Sequence, residues 1–278
     1  MKINKIGMAA GWIVFLGVLA ALCWLLGAGE KRADNGTIVV AVLRTGQDAD
    51  CIVIQNGSRA VMIDTGSAQD EDKILEYLQT RKIERIDSMI LTTPKEEHIG
   101  NAVRLLEMDM VGNIIAPYYA KQNEEMGRIN RICQQKDIPV IYPTKTKKMI
   151  LGGMNLLVYP PLEKNYENIN NYSLAVLLEH KDVKMVFVGD AAEKRTEELL
   201  MVKWPEANLY KVADHGRANA LTGKLLLRLK PEFAVVTAKK GDSIICDTCS
   251  SMETELFFTG EEDQIFLSDG KKIVKERE

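Results

Sequence analysis

Charge is absent between Lys5 and Glu30, whereas after Glu30 short apolar runs alternate with polar breaks. The first stretch includes Trp12, Ile13, Val14, Phe15, Leu16, Trp24, Leu25 and Leu26. At about 1.5 Å rise per residue it is long enough to cross a hydrocarbon core of about 30 Å. It exceeds the usual apolar core of a secretion signal, and no small-residue cleavage site follows it. Leu22 stands before Cys23 where a lipoprotein signal needs a small residue. Residues 1–29 therefore predict a cytoplasmic tip and one transmembrane anchor. Lys2 and Lys5 on its N-terminal side set the C-terminal part outside the cytoplasm. Residues 30–36 read as a linker, and residues 37–278 as one domain.

Within that domain the pattern predicts strands with interleaved helices. Thr37–Leu43 is a β-branched strand. Cys51–Gln55 and Arg59–Ile63 flank Asn56-Gly57, a hairpin signal, and Asp64-Thr65-Gly66 closes the pair. Ile74, Leu75 and Leu78 have helical spacing within 70–81. A strand over 86–92, a polar loop over 93–97 and a helix over 99–107 follow. In the second half, strands are expected over 156–159, 173–179, 183–188, 209–212 and 233–237, with helices over 192–202 and 221–229. A hairpin around Asp269-Gly270 ends the chain. This order suggests an α/β fold of two sheets packed face to face with helices outside.

Composition narrows the chemistry. Net charge is −3, and no basic face announces a nucleic-acid binder. The lysines of 145–148 read as a solvated turn. The chain has 3 histidines, so an imidazole-rich metal site would need nearly all of them. His180, in Glu179-His180-Lys181-Asp182, reads as a surface turn. Cys246-x-x-Cys249 has no partner pair, which leaves a local disulfide or a loop carrying two thiols. Cys51 and Cys133 read as small buried apolar residues. A single Asp64-Thr65-Gly66 does not make an aspartic protease.

Six stretches in order resemble one family, the metallo-β-lactamase-like domain of ComEC-type DNA-uptake proteins. They are Thr45-Gly46-Gln47-Asp48 with the run from Asp50 to Ile54; Met62-Ile63-Asp64-Thr65-Gly66; Leu91 to Asn101; Asn170 to Leu174; Val186 to Asp190; and Lys211 to Arg217. The resemblance implies an αββα four-layer sandwich and metal-assisted hydrolysis by two ions. It places Thr93 where a histidine ligand is expected and Lys95 where an aspartate or histidine is expected. Glu97 replaces an aspartate, Asp214 the first histidine of a pair, and Arg217 a serine. His98, Asp190 and His215 match. One ion's ligands are thus lost, since an ammonium cannot ligate. A set of Glu97, His98, Asp190 and His215 remains for one divalent ion, zinc or manganese, with Asp190 and Glu97 as candidate catalytic groups.

Asp64, Thr93, Lys95, Asp214 and Arg217 would line the pocket. Without ions, Lys95 is expected to pair with Asp190 or Glu97, and Arg217 to hold Asp214 in a bidentate pair. Three functions stay open: a degenerate domain that binds a ligand or protein without a metal, a one-metal hydrolase of phosphodiester or related ester bonds, and a structural module of a membrane assembly. The pattern names no substrate or protein partner.

Overall fold

The computed structural model describes residues 36–46, 48–119 and 123–276. The anchor expected over 1–29 and most of the linker lie outside them. Among the described residues no helix is long and apolar enough to cross a membrane.

The first half of the domain supplies strands β1 (Ile38–Val42), β2 (Ile52–Asn56), β3 (Arg59–Ile63), β4 (Ser88–Ile90), β5 (Ile114–Ile115) and β6 (Val140–Ile141). The second half supplies β7 (Lys147–Leu151), β8 (Met154–Tyr159), β9 (Ala175–His180), β10 (Val183–Phe187), β11 (Leu209–Lys211), β12 (Phe233–Val236) and β13 (Glu255–Phe258). A last hairpin, β14 (Gln264–Ser268) and β15 (Ile273–Lys275), returns to the first sheet. One sheet runs β15-β14-β1-β2-β3-β4-β5-β6 and the other β13-β12-β11-β10-β9-β8-β7.

Alternation along the strands builds three apolar layers. Val40, Ile54 and Ile63 of one sheet meet Leu156, Leu178 and Phe187 of the other in a core between the sheets. The opposite faces are covered by helices. Ile74 and Leu78 come from α1 (Glu71–Thr80), and further cover comes from α2 (Glu96–Ile99), α3 (Ala102–Glu107) and α4 (Glu124–Gln135). On the second sheet lie α5 (Glu193–Leu200), α6 (Thr222–Leu229) and α7 (Ser243–Ser251), with Leu225, Leu226, Leu229 and Ile245 buried. This is the expected αββα sandwich. Burial of such faces, at about 25 cal/mol per Å² of apolar surface, is its main source of stability.

Several expectations are corrected. The helix expected over 99–107 is two helices broken at Gly100-Asn101. The lysine-bearing segment at 145–148 is no turn: Lys147 and Lys148 open edge strand β7, paired with β8 through Lys147↔Val158. Among the described residues no strand pairs with its outer edge, and the lysines stay exposed. His180 is buried, not at the surface. It follows Leu174, Val176 and Leu178 on the inward face by twos, and its Nδ1 lies 2.9 Å from Ser268 Oγ on β14. Cys246 and Cys249 are free thiols on α7 rather than on a loop. Cys249 faces the core four residues after Ile245. Cys51 and Cys133 are buried, as expected.

Candidate functional site: a buried histidine–aspartate cluster

Several strands of the two sheets end at one edge of the sandwich, and the chemistry collects there. Asp50 precedes β2, Asp64 follows β3, Thr92 follows β4, Asp190 follows β10, His215 follows β11 and Thr237 follows β12. His98 arrives on α2. Its short helix is tied down by Thr65 N–H donating to His98 C=O at 2.7 Å and Asp50 N–H donating to Glu97 C=O at 3.1 Å. Two tight bends aim the side chains. Asp64 has φ 59°, and Asp214 and His215 have φ 48° and 52°, a left-handed conformation that L side chains rarely adopt. Gly189, at φ 54°, is required by space as well, because a Cβ there would lie 2.5 Å from Thr92 Oγ1.

The innermost groups are fully enclosed. His98 Nδ1 lies 2.8 Å from Asp64 Oδ2. Asp64 also accepts from Thr92 N–H and Thr92 Oγ1, both at 2.6 Å. His215 Nδ1 lies 3.0 Å from Thr237 Oγ1 and 3.2 Å from Asp50 Oδ1. Thr237 Oγ1 in turn donates to Asp50 Oδ1 at 2.7 Å. Each imidazole is therefore held at Nδ1 by an acceptor, which fixes its proton there and leaves Nε2 as the lone-pair nitrogen of the neutral ring. Behind them, Lys211 is buried and its Nζ donates to Asp50 Oδ2.

Both Nε2 atoms point at Asp190. His98 Nε2 is 3.0 Å from Asp190 Oδ2, and His215 Nε2 is 3.0 Å from Asp190 Oδ1. Both are ion-pair distances; among the described residues His98 Nε2, His215 Nε2 and Asp190 Oδ1 are buried polar atoms with no other partner. Two imidazole nitrogens and a carboxylate oxygen within 4.8 Å of one another suit a divalent ion of the zinc or manganese kind. The orphaned atoms, the carboxylate-oriented rings and the donor chemistry together fit one ion held by His98, Asp190 and His215.

The outer wall differs. Lys95 Nζ donates to Asp190 Oδ2 at 2.8 Å and lies 2.5 Å from Glu97 Oε1. Lys95 thus makes both pairs that the sequence suggested as alternatives. Glu97, expected as a ligand, turns to Lys95 rather than to the histidines, and its side chain is 28% exposed. Thr93 is buried with its Oγ1 at 3.5 Å from Ile169 C=O. Asp214 meets Arg217 through one oxygen, 3.3 Å from Nε and 3.1 Å from Nη2, so the pair is not the expected two-oxygen fork. Arg217 is largely exposed. His215 and Arg217 line an open cavity of about 970 Å³ whose rim also carries Arg44, Lys73, Lys239 and Lys240 beside Asp48, Asp72 and Asp242.

Burial sets the electrostatics against the charges, and the pairings overcome it. Burial pushes the Asp190 carboxyl up, but His98 and His215 hold it well below the usual carboxylate range. Burial also opposes ionised Asp50, and Lys211 with His215 outweighs it, so that pKa falls. At Asp64 burial prevails over His98, and the pKa rises. Burial favours neutral imidazoles, yet Asp190 and Asp64 lift His98 well above its ordinary value, and Asp50 and Asp190 lift His215.

Sequence reasoning passed over Asp50, Lys211, Thr92 and Thr237 as site residues. A signal existed for one: Leu209 faces the inter-sheet core, so period two puts Lys211 inward as well, where a lysine needs a partner.

The profile of the Metallo-beta-lactamase superfamily matches residues 44–238. ComE operon protein 3 of Bacillus subtilis is 22% identical over 174 residues, covering 62% of this chain and 22% of its own length. Recombination protein 2 of Haemophilus influenzae is 22% identical over 213 residues, covering 75% and 25%. Both are ComEC-type competence proteins. The chain spans about a quarter of the length of these relatives. Among solved structures, the metallo-β-lactamase fold protein YhfI from Bacillus subtilis aligns with a TM-score of 0.60 at 11% identity, over 84% of this chain and 99% of its own. CmlA, a diiron β-hydroxylase from Streptomyces venezuelae, aligns with a TM-score of 0.54 at 10% identity, over 82% and 53%. These structural likenesses speak to the fold.

Proposed function

The chain belongs to the metallo-β-lactamase superfamily, and we propose that it is a ComEC-like member, anchored in the membrane with its domain outside the cytoplasm, whose centre has been cut down to one ion at most. Hydrolysis is weak or lost, and the domain serves to bind a ligand or a protein. One observation carries this reading: Lys95 Nζ sits 2.8 Å from Asp190 Oδ2, at the position where the family resemblance expects a ligand. An ammonium there repels a second cation and neutralises the carboxylate that two ions would share.

A second reading, a one-ion hydrolase of phosphodiester or related ester bonds, is favoured by the orphaned Nε2 atoms. His98, His215 and Asp190 would hold the ion, which would supply Lewis acidity to an ester or phosphoryl oxygen. Asp64 and Asp50 would keep both rings oriented, and Lys95 would offer an ammonium to an anionic group beside Asp190.

Metal content and hydrolysis of the purified full chain in detergent decide between them. The expected result is at most one equivalent of zinc or manganese per chain, lost in His215→Ala, with phosphodiesterase activity no higher than that variant's. Two tightly held equivalents would refute both readings. One equivalent with activity that His215→Ala abolishes would favour the hydrolase. The anchor rests on the charge-free stretch after Lys5; protease added outside cells should digest the domain, and protection equal to a cytoplasmic control would refute that topology.

A further inference from the structure

Asp190 is approached differently at its two oxygens. Oδ1 lies 3.0 Å from His215 Nε2 and, among the described residues, has no hydrogen bond. Oδ2 carries the Lys95 hydrogen bond beside the His98 contact. Lys95 in turn has a second carboxylate in reach: Glu97 Oε1, 2.5 Å from the same Nζ. Lys95 immediately precedes α2, and Glu97 sits in that helix's first turn. The two carboxylates differ in freedom. Asp190 is fully buried and fixed by the bend at Gly189, whereas Glu97 and Lys95 are part-exposed, 28% and 20%. The ammonium can therefore shift between a fixed carboxylate and a movable one without crossing a core.

We propose that Lys95 and Glu97 form a cation-affinity device: the Lys95 ammonium competes with a divalent ion for Asp190, and Glu97 draws the ammonium off when the ion binds. This inference rests on the one-ion reading and adds to it that the affinity of His98, Asp190 and His215 is set by two residues outside the ligand set. Charge neutralisation by the ammonium weakens Asp190 as a ligand in the ion-free protein. Glu97 works in the opposite direction, because an ammonium already paired to it gives up Asp190 at smaller cost. Glu97 then acts as a counter-charge to Lys95 and not as a ligand.

A double-mutant cycle separates these roles. Zinc and manganese affinities of the full chain in detergent are measured by competition with a chromophoric chelator, for wild type, Lys95→Met, Glu97→Gln and the double variant. The expected pattern is a tightening of tenfold or more in Lys95→Met, a several-fold weakening in Glu97→Gln, and no effect of Glu97→Gln once Lys95 is methionine. Lys95→Arg, which keeps the cation, should bind no tighter than wild type; thermal unfolding in chelator checks that each variant is folded. If Glu97→Gln weakens binding as much in the methionine background, Glu97 is a ligand and the proposal is overturned. If Lys95→Met binds as wild type does, the proposal fails while the one-ion reading stands. If neither ion binds any variant, the one-ion reading fails and the device falls with it.

Discussion

The inner and outer halves of this site hold their charges in different ways. In the inner half Asp50, Asp64, His98, Asp190, Lys211 and His215 are all buried, and each meets at least one oppositely charged or titratable neighbour. In the outer half Lys95, Glu97, Asp214 and Arg217 are part-exposed, and their pairs face the open cavity or solvent. The inner groups match the family's motifs or lie behind them. All four outer positions depart from those motifs. The physical difference explains the division. A buried charge without its partner costs several kcal/mol, so substitution there is strongly destabilising. Near water the same loss costs about 0–1 kcal/mol. Under the proposed reading, such a gradient lets outer ligands be replaced while the inner scaffold persists.

Lys211→Met tests the inner half most severely. It leaves Asp50 buried with a carboxylate answered by His215 and Thr237 and, at 3.8 Å, by His98. The expected loss is about 3–5 kcal/mol of unfolding free energy at neutral pH, read from urea denaturation. Replacing Asp50 as well, in Asp50→Asn/Lys211→Met, should recover part of it, since no unpaired charge remains. A loss under about 1 kcal/mol in the single variant would put Lys211 on the same footing as the outer pairs and dissolve the distinction.

A smaller effect is expected from pH, with the sign set by the inner histidines. His98 and His215 have folded pKa values raised above 6.5 by the buried aspartates. Their contribution is complete below about pH 6.5, where the unfolded chain also binds both protons, and is lost as pH rises through the folded values. Asp50 and Asp190, lowered from 3.8, contribute above that pH and lose it on acidification through their folded values. Asp64, raised, opposes them, because its preference for the protonated form is lost from about pH 3.8 upward. With chelator present, the melting temperature should therefore fall between pH 6.5 and 9. Metal affinity should rise over the same range, since ligation needs neutral imidazoles. A melting temperature that holds level or climbs would show that the rings are neutral and the inner half carries fewer charges than its pairings imply.

How far this division was legible beforehand differs by residue. His98, Asp190 and His215 fall on motif positions, and the Lys95 pairing followed from placing a cation among carboxylates. Asp50 and Lys211 escaped because their partnership spans two sheets and 161 residues, a separation that no local pattern encodes. The sheets themselves were readable wherever apolar alternation is strong, as in Val183–Phe187. Between 110 and 155 it is not. β5 and β6 are two residues each, and β7 is an edge strand with exposed lysines, so neither length nor alternation rises above a loop's. His180 misled for a related reason: its flanking charges mark the turn at Lys181-Asp182, while its own parity belongs to the core face.

The smallest effect belongs to Arg217. Its two contacts converge on a single oxygen of Asp214 at 3.1 and 3.3 Å, and its guanidinium also lies 3.4 Å from Asp48 Oδ2. The arginine side chain is 53% exposed and Asp214 23%, so water and salt screen the attraction, and ordering a long side chain offsets part of what remains. Asp214 does not depend on this partner for its place. Its left-handed backbone is fixed by its N–H donating to Gly189 C=O at 3.2 Å and by the Arg217 N–H bond to its own C=O at 2.8 Å, which any side chain at 217 would keep. Burial and the nearby Asp190 already raise the Asp214 pKa, against the pull of Arg217, so loss of the guanidinium can be met by partial protonation instead of unfolding. Arg217→Ala is therefore expected to cost no more than about 1 kcal/mol in urea denaturation at low salt, and less at 0.5 M salt. A salt-insensitive cost of 2 kcal/mol or more would mean that the outer wall is desolvated in solution, and the contrast between the two halves would then have to rest on something other than access to water.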